Sequence, residues 1–233
     1  MTLPALPETK RVRGRLHRII STCYPPIDFF ERHVPPALMG ALWALEADTN
    51  PRLLQETGDL NLVREEDRVS GAGASIIMAS FTYIGHASRF SSGTYGVYYA
   101  SRKLETAIRE TAHHREIIYQ DATLPAENFS MRVWNNEIAK PLLDVRHSDY
   151  DVLHDDDVRP ENHSVAHAFG AVAKDNDAWG IIYRSVRHED GECVAALRPP
   201  AITLPTQGAH LVYVWDGSKI TEVFERSEPI ISF

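Results

Sequence analysis

The sequence predicts an α+β fold, a mixed β-sheet core with flanking helices. Strand-type alternation recurs in "NFSMRVWNNEIA", "WGIIYRSVR", "ECVAALRP" and "AHLVYVWDG". Helix-spaced apolar residues separate only some of these runs, which disfavours a doubly wound sheet. At 233 residues, with 43% hydrophobic and 24% charged residues, the chain is long and apolar enough to bury a core without staples.

In order along the chain, Leu16 to Cys23 reads as a short strand stopped by "YPPID". "PPALMGALWALEA" has the helical spacing of Leu38, Leu42 and Leu45, and "TNPRLLQETGDL" reads as a short helix ended at Gly58. "REEDRVSGAGASIIMASFTY" runs from a charged, Gly-rich loop into an apolar strand near Ser75 to Tyr83. "RFSSGTYGVYYASRKLETAIRETAHH", Arg89 to His114, reads as strand, turn, strand, helix. "NFSMRVWNNEIA" is a strand with Phe129, Met131 and Val133 on one face. "DVRHSDYDVLHDDDVRPENH" is polar and acidic and reads as a long surface loop. "SVAHAFGAVAKDNDA" has the small-residue spacing of a buried helix. A turn at Asp216-Gly217 joins "AHLVYVWDG" to "SKITEVFE" as a hairpin. No internal repeat or linker divides the chain. The expectation is one domain over 1–233, in which a partly helical extension of about 1–70 packs on a core of about 71–233.

Several function classes fall away on composition. The cysteines, Cys23 and Cys193, are too few for a disulfide framework and form no CxxC pair. The opening "MTLPALPETK" lacks the apolar centre of a signal peptide, and no apolar run has the length of a membrane span, so the expected location is cytoplasmic. A net charge of −8 argues against nucleic-acid binding over the whole surface. Lys10, Arg11, Arg13, Arg15 and Arg18 against Glu8 make a local basic cluster, read as a solvated arm. Arg18 stands apart from it, inside the apolar run "HRIISTCYPPIDFF".

The segment from Arg89 to His114 sets a cation, an aromatic ring and a carboxylate at element junctions. Leu104, Ala107, Ile108, Thr111 and Ala112 form one helical stripe, and Glu110 lies at its margin, where a carboxylate can be half-buried and aimed at a cleft. Of Tyr98 and Tyr99, strand alternation lets only one face that cleft. Arg89 precedes a Gly-containing turn, where a guanidinium can fork onto a phosphate or ribose.

The run "MASFTYIGHASRFSSGTYGVYYASRKLETAIRETAHHRE", with "WGIIYRSVRHEDGECVAALRPP", resembles the RES domain family, named for an arginine, a glutamate and a serine. Arg89, Glu110 and Ser185 match that pattern, and the similarity reaches from "RLHRIISTCYPPIDFFE" to "HLVYVWDG". Tyr83 stands where relatives often carry histidine. The resemblance implies an ADP-ribosyltransferase-like fold and the toxin of a bacterial toxin–antitoxin pair. It implies cleavage of the nicotinamide–ribose bond of NAD+, with water, phosphate or a protein side chain as acceptor. NAD+ is then a substrate and no cofactor is required. Glu110 would face the cationic ribose, Tyr99 would stack on nicotinamide, Arg89 would hold the ribose or diphosphate, and Ser185 would bind substrate or orient Glu110. Arg18 is a further candidate phosphate contact. The expected partner is an Xre-like antitoxin covering the cleft.

Two other readings compete. Glu110 and His113 have the Glu-x-x-His spacing of helical metal sites, and His154 to His163 with Asp155, Asp156 and Asp157 hold hard donors, but no second Glu-x-x-His pair exists. The expectation is that no metal is bound. The other is a catalytically silent dinucleotide-binding module. "GAGAS" at Gly71 to Ser75 is too short for a Rossmann fingerprint.

Overall fold

The computed structural model describes residues 3–22, 28–49, 52–155 and 159–227. Cys23, the start of the expected "YPPID" stop, Asp156 and Asp157 lie outside the described residues. In chain order the elements are β1 (Thr9–Lys10), β2 (Arg15–Ser21), α1 (Asp28–Glu31), α2 (Pro36–Thr49), α3 (Arg52–Thr57), α4 (Ala74–Thr82), β3 (Tyr98–Ser101) and α5 (Leu104–Asp121). There follow β4 (Glu127–Glu137), β5 (Leu142–Asp144), α6 (Ser164–Asp175), β6 (Gly180–Arg184), β7 (Glu192–Ala196), β8 (Thr206–Trp215) and β9 (Ile220–Glu225). The strands make one sheet in the order β1-β5-β6-β7-β3-β2-β4-β8-β9. It is mixed, with β5 and β6 parallel and the other pairs antiparallel. The α+β class with a mixed sheet and flanking helices is the architecture found.

β2, from the N-terminal stretch, is an internal strand with both faces covered. Leu16 joins a core with Phe29, Met39, Ile77, Tyr98 and Trp134, under α1, α2 and α4. Ile19 points the other way, to Met131, Val133, Leu211 and Tyr213, where α5 lays Leu104, Ala107, Ile108 and Ala112 on the sheet. On that same face α6 packs Ala166, Phe169 and Ala173 against Ile181, Tyr183 and Ala195. Two helices on one sheet face leave a furrow between them. The hairpin turn forms as expected, with the Asp216 carboxylate accepting from the amides of Ser218 (2.7 Å) and Lys219 (2.8 Å).

Three sequence expectations are corrected. The stretch expected as a strand near Ser75 to Tyr83 is helix α4, which ends at Thr82 with Tyr83 as its extended cap. It is buried on nearly every side, so its apolar run carries no period to separate helix from strand. Its start is fixed from a distance: the Glu31 carboxylate accepts from the amide of Gly73 (2.6 Å) and from the amide (3.3 Å) and hydroxyl (2.7 Å) of Ser75. That satisfies orphan N–H groups and sets a negative charge at the positive end of the helix.

The segment at Arg89 is a tight turn rather than a strand. Ser88 and Ser91 exchange backbone bonds across it, and serine and tyrosine hydroxyls take the place of a ladder partner. The acidic stretch after Asp144 is not merely a surface loop. Val145 and Leu153 are fully buried against α6, and short 3-10 turns at Ser148–Leu153 and Pro160–Asn162 hold it in place.

Candidate active site

The furrow between α5 and the α6 side of the sheet is a cleft of about 450 Å³. Its floor is the cleft face of β2, β3, β6 and β7; one wall is α5, and the other is the turn carrying Arg89. That turn approaches α6 closely because residue 170 is glycine, and a Cβ there would clash with the Phe90 carbonyl. Arg89, Tyr99, Glu110 and Arg18 all line this one cleft.

Glu110 projects from the second turn of α5. The Ser185 hydroxyl, just past β6, donates to its Oε1 at 2.5 Å, and the Cys193 thiol lies 3.9 Å from the same oxygen. The Arg187 amide donates to the Ser185 hydroxyl oxygen (3.1 Å), so the serine proton is turned toward the carboxylate. Ser185 is thus in direct contact with Glu110. Burial, then the Glu110 charge, pushes the Cys193 thiol up to about 12, which leaves it protonated and without nucleophilic character.

Tyr99 takes the cleft side of β3, while Tyr98 is fully buried beneath the sheet and accepts from the Asn136 amide (3.1 Å). The Tyr99 hydroxyl accepts from the Phe90 amide and donates to Ser88 Oγ, both at 2.9 Å, so the ring is locked as part of the wall. Burial raises this phenol to about 12, so it supplies a surface rather than a proton. One Arg89 Nη donates to the carbonyls of Leu153 (3.0 Å) and Asp155 (2.9 Å), so the stretch read as a long surface loop positions the arginine.

Arg18 is placed by a gap in the sheet. β2 and β3 pair only at His17 and Ser101, and the guanidinium enters the opening. It lies 4.3 Å over the Tyr98 ring and donates to the Tyr99 carbonyl at 3.3 Å. Burial holds its pKa below the ordinary arginine value. Tyr83 is not part of the cleft; its hydroxyl donates to the Gln55 carbonyl of α3.

Cleft residues that sequence reasoning passed over include His114, Tyr183 and Arg187. His114 was signalled by helical spacing, since position i+4 from Glu110 lies one turn above it on the same face. Arg187 follows Ser185 by two residues in "YRSVR". The electrostatics are one-sided. Among the described residues lining the cleft, Glu110 is the one carboxylate, against Arg18, Arg89, Arg115 and Arg187. Burial first, then Arg187, His114 and Arg89, lower His113 to about 4, so it is neutral near pH 7. Such a cleft suits an anionic ligand that presents one cationic region to Glu110. Glu110 and His113 gain no third donor: among the described residues no three His, Cys, Asp or Glu side chains group as metal ligands.

Comparison with known proteins places this geometry in context. An uncharacterized protein of Sinorhizobium fredii, y4oC, is 23% identical over 214 residues, spanning 91% of this chain and 88% of its own. A chain of the crystal structure of the M. tuberculosis MbcT-MbcA toxin-antitoxin complex aligns over 94% of this chain and 87% of that chain, at 10% identity and a TM-score of 0.45. The RES domain matches residues 65–216, a span that holds Arg89, Tyr99, Glu110 and Ser185. The chain belongs to the RES domain family.

Proposed function

We propose that this protein is the toxin of a bacterial toxin–antitoxin pair and cleaves the nicotinamide–ribose bond of NAD+ in the cytoplasm, by hydrolysis or phosphorolysis. The observation that carries the reading is the Glu110 carboxylate, fixed by Ser185 as the one described anion of a cationic cleft. Its volume is in the range of small-molecule sites.

In this reading Arg89 and Arg18 hold the diphosphate side, and nicotinamide lies against the Tyr99 ring. The bond from ribose C1″ to the pyridine nitrogen breaks, and its electron pair stays with nicotinamide. The ribose becomes oxocarbenium-like, and Glu110 stabilises that charge more than it stabilises the ground state. Ser185 keeps the carboxylate oriented, so little reorganisation is needed when the charge appears.

The test is mass spectrometry of the products made from NAD+ with and without inorganic phosphate. ADP-ribose means hydrolysis and ADP-ribose-1″-phosphate means phosphorolysis; either supports the proposal. A mass increase on a protein would instead make the chain a mono-ADP-ribosyltransferase. Intact NAD+ despite binding would make it a silent dinucleotide-binding module. An Xre-like antitoxin is the proposed partner, seated over the cleft, and its addition is expected to stop NAD+ loss.

A further inference from the structure

One rung of the sheet on the cleft side is polar across six strands. Thr206 of β8 pairs with Asn135 of β4, Asn135 with His17 of β2, His17 with Ser101 of β3, Ser101 with Cys193 of β7, and Cys193 with Tyr183 of β6. Burying such groups in a sheet costs free energy unless each is bonded. Ser101 Oγ and Cys193 Sγ are 3.4 Å apart, and His17 Nδ1 is 2.7 Å from Asn135 Oδ1. The Asn135 amide fits because residue 208 is glycine; a Cβ there would lie 2.5 Å from its Nδ2.

An amide oxygen has no proton to give, so Nδ1 of His17 carries one and donates it to Asn135. In the neutral ring Nε2 is then left with its lone pair. His17 lines the cleft. It stands two strands from Cys193, roughly 10 Å at ordinary strand spacing, and the Cys193 thiol touches Glu110. The Glu110 carboxylate, on the α5 wall beside Cys193, and the His17 imidazole, on the floor, thus stand apart in one cleft of about 450 Å³.

We propose that His17 is the general base of the reaction, held by Asn135 so that Nε2 receives the proton of the acceptor hydroxyl. The inference rests on the proposed NAD+ cleavage. As the C1″–nitrogen bond breaks and its electron pair passes to nicotinamide, a C1″–oxygen bond forms to water or hydrogenphosphate. The acceptor's proton moves to Nε2 of His17 and from there to solvent. Burial, then Arg15 on its own strand, lowers the His17 pKa against the raising effect of Asn135, so the basic form prevails at neutral pH. The other charged or titratable groups lining the cleft are Glu110, His113, His114 and Arg115 of α5, Arg18, Tyr99, Tyr183 and Cys193 of the sheet, and Arg89, His163 and Arg187 from the flanking segments.

The test is the pH dependence of kcat in wild type, His17→Gln and Asn135→Asp. The expected result for His17→Gln is a kcat lower by about a hundredfold, a KM for NAD+ within about twofold, and loss of the acidic limb of the profile. Asn135→Asp puts a carboxylate on Nδ1, stabilises the imidazolium, and moves that limb to higher pH. If His17→Gln does not fold, the Asn135→Asp shift carries the test alone. A His17→Gln enzyme with near-wild-type kcat and the same limb, or an Asn135→Asp limb that does not move, overturns the assignment of the base while NAD+ cleavage stands. Wild type that binds NAD+ and releases no nicotinamide overturns the reading of function, and His17 with it.

Discussion

The hydroxyl of Ser185 and the carboxylate of Glu110, 75 positions apart in the chain, meet at 2.5 Å on one side of a cationic cleft. The bond matters more for direction than for strength. With the Arg187 amide fixing the serine's acceptor side, Oε1 of Glu110 is aimed rather than free to rotate. Ser185→Ala is expected to lower kcat about tenfold with little change in KM, because the lost interaction serves the transition state. Steady-state kinetics of NAD+ consumption check this, and a change confined to KM would make Ser185 a substrate contact instead.

Arg89 spends one Nη on two backbone carbonyls, so in the proposed reading the grip on NAD+ depends on a planar, multi-donor head group. Arg89→Lys keeps the charge and loses the fork. A rise in KM of about tenfold with a smaller effect on kcat is expected. Initial-rate measurements across NAD+ concentrations read it directly.

His154 lies between the two residues whose carbonyls hold Arg89. Its Nδ1 faces the Tyr150 carbonyl at 3.0 Å, and its Nε2 accepts from the Arg184 amide at 3.2 Å, so the ring must be neutral. Burial, with Arg184 and Arg89 acting in the same direction, takes its pKa from 6.5 to about 4. Between those values the unfolded chain binds a proton that the folded chain refuses, so stability falls as pH drops from 6.5 toward 4. Urea midpoints are expected to decrease across that window, and His154→Gln is expected to flatten the decrease.

Asp67 is buried beneath Arg198, accepting at 2.7, 2.8 and 3.1 Å, while the guanidinium also lies 3.8 Å over the Trp179 ring. Removing the carboxylate leaves a mostly buried cation without its counter-charge. Asp67→Ala is expected to cost about 3–5 kcal/mol, measured by denaturant unfolding. A loss below about 1 kcal/mol would mean that water relieves the arginine.

The fold was legible wherever a face was half-buried. β8 and α6 carry clean periods, β4 carries one from Phe129 through Met131 to Val133, and Leu104, Ala107 and Ile108 mark the packed side of α5. It was not legible at Ile76, Ile77 and Met78, where burial on every side erases the period, nor at Arg89, where hydroxyl groups stand in for strand partners. Glu110 could be placed at a stripe margin from helical geometry alone. Its convergence with Ser185 depends on long-range pairing that no local pattern encodes. His154, weighed in sequence as a metal donor, is a neutral structural imidazole, because its two partners are a distant backbone amide and a carbonyl one turn away.

The most direct measurement is release of nicotinamide from NAD+ by wild-type protein and by Glu110→Gln, compared at equal NAD+ binding. The account predicts steady release by wild type and a loss of at least about a hundredfold in the variant. Equal rates from both, or no release from either, would contradict it.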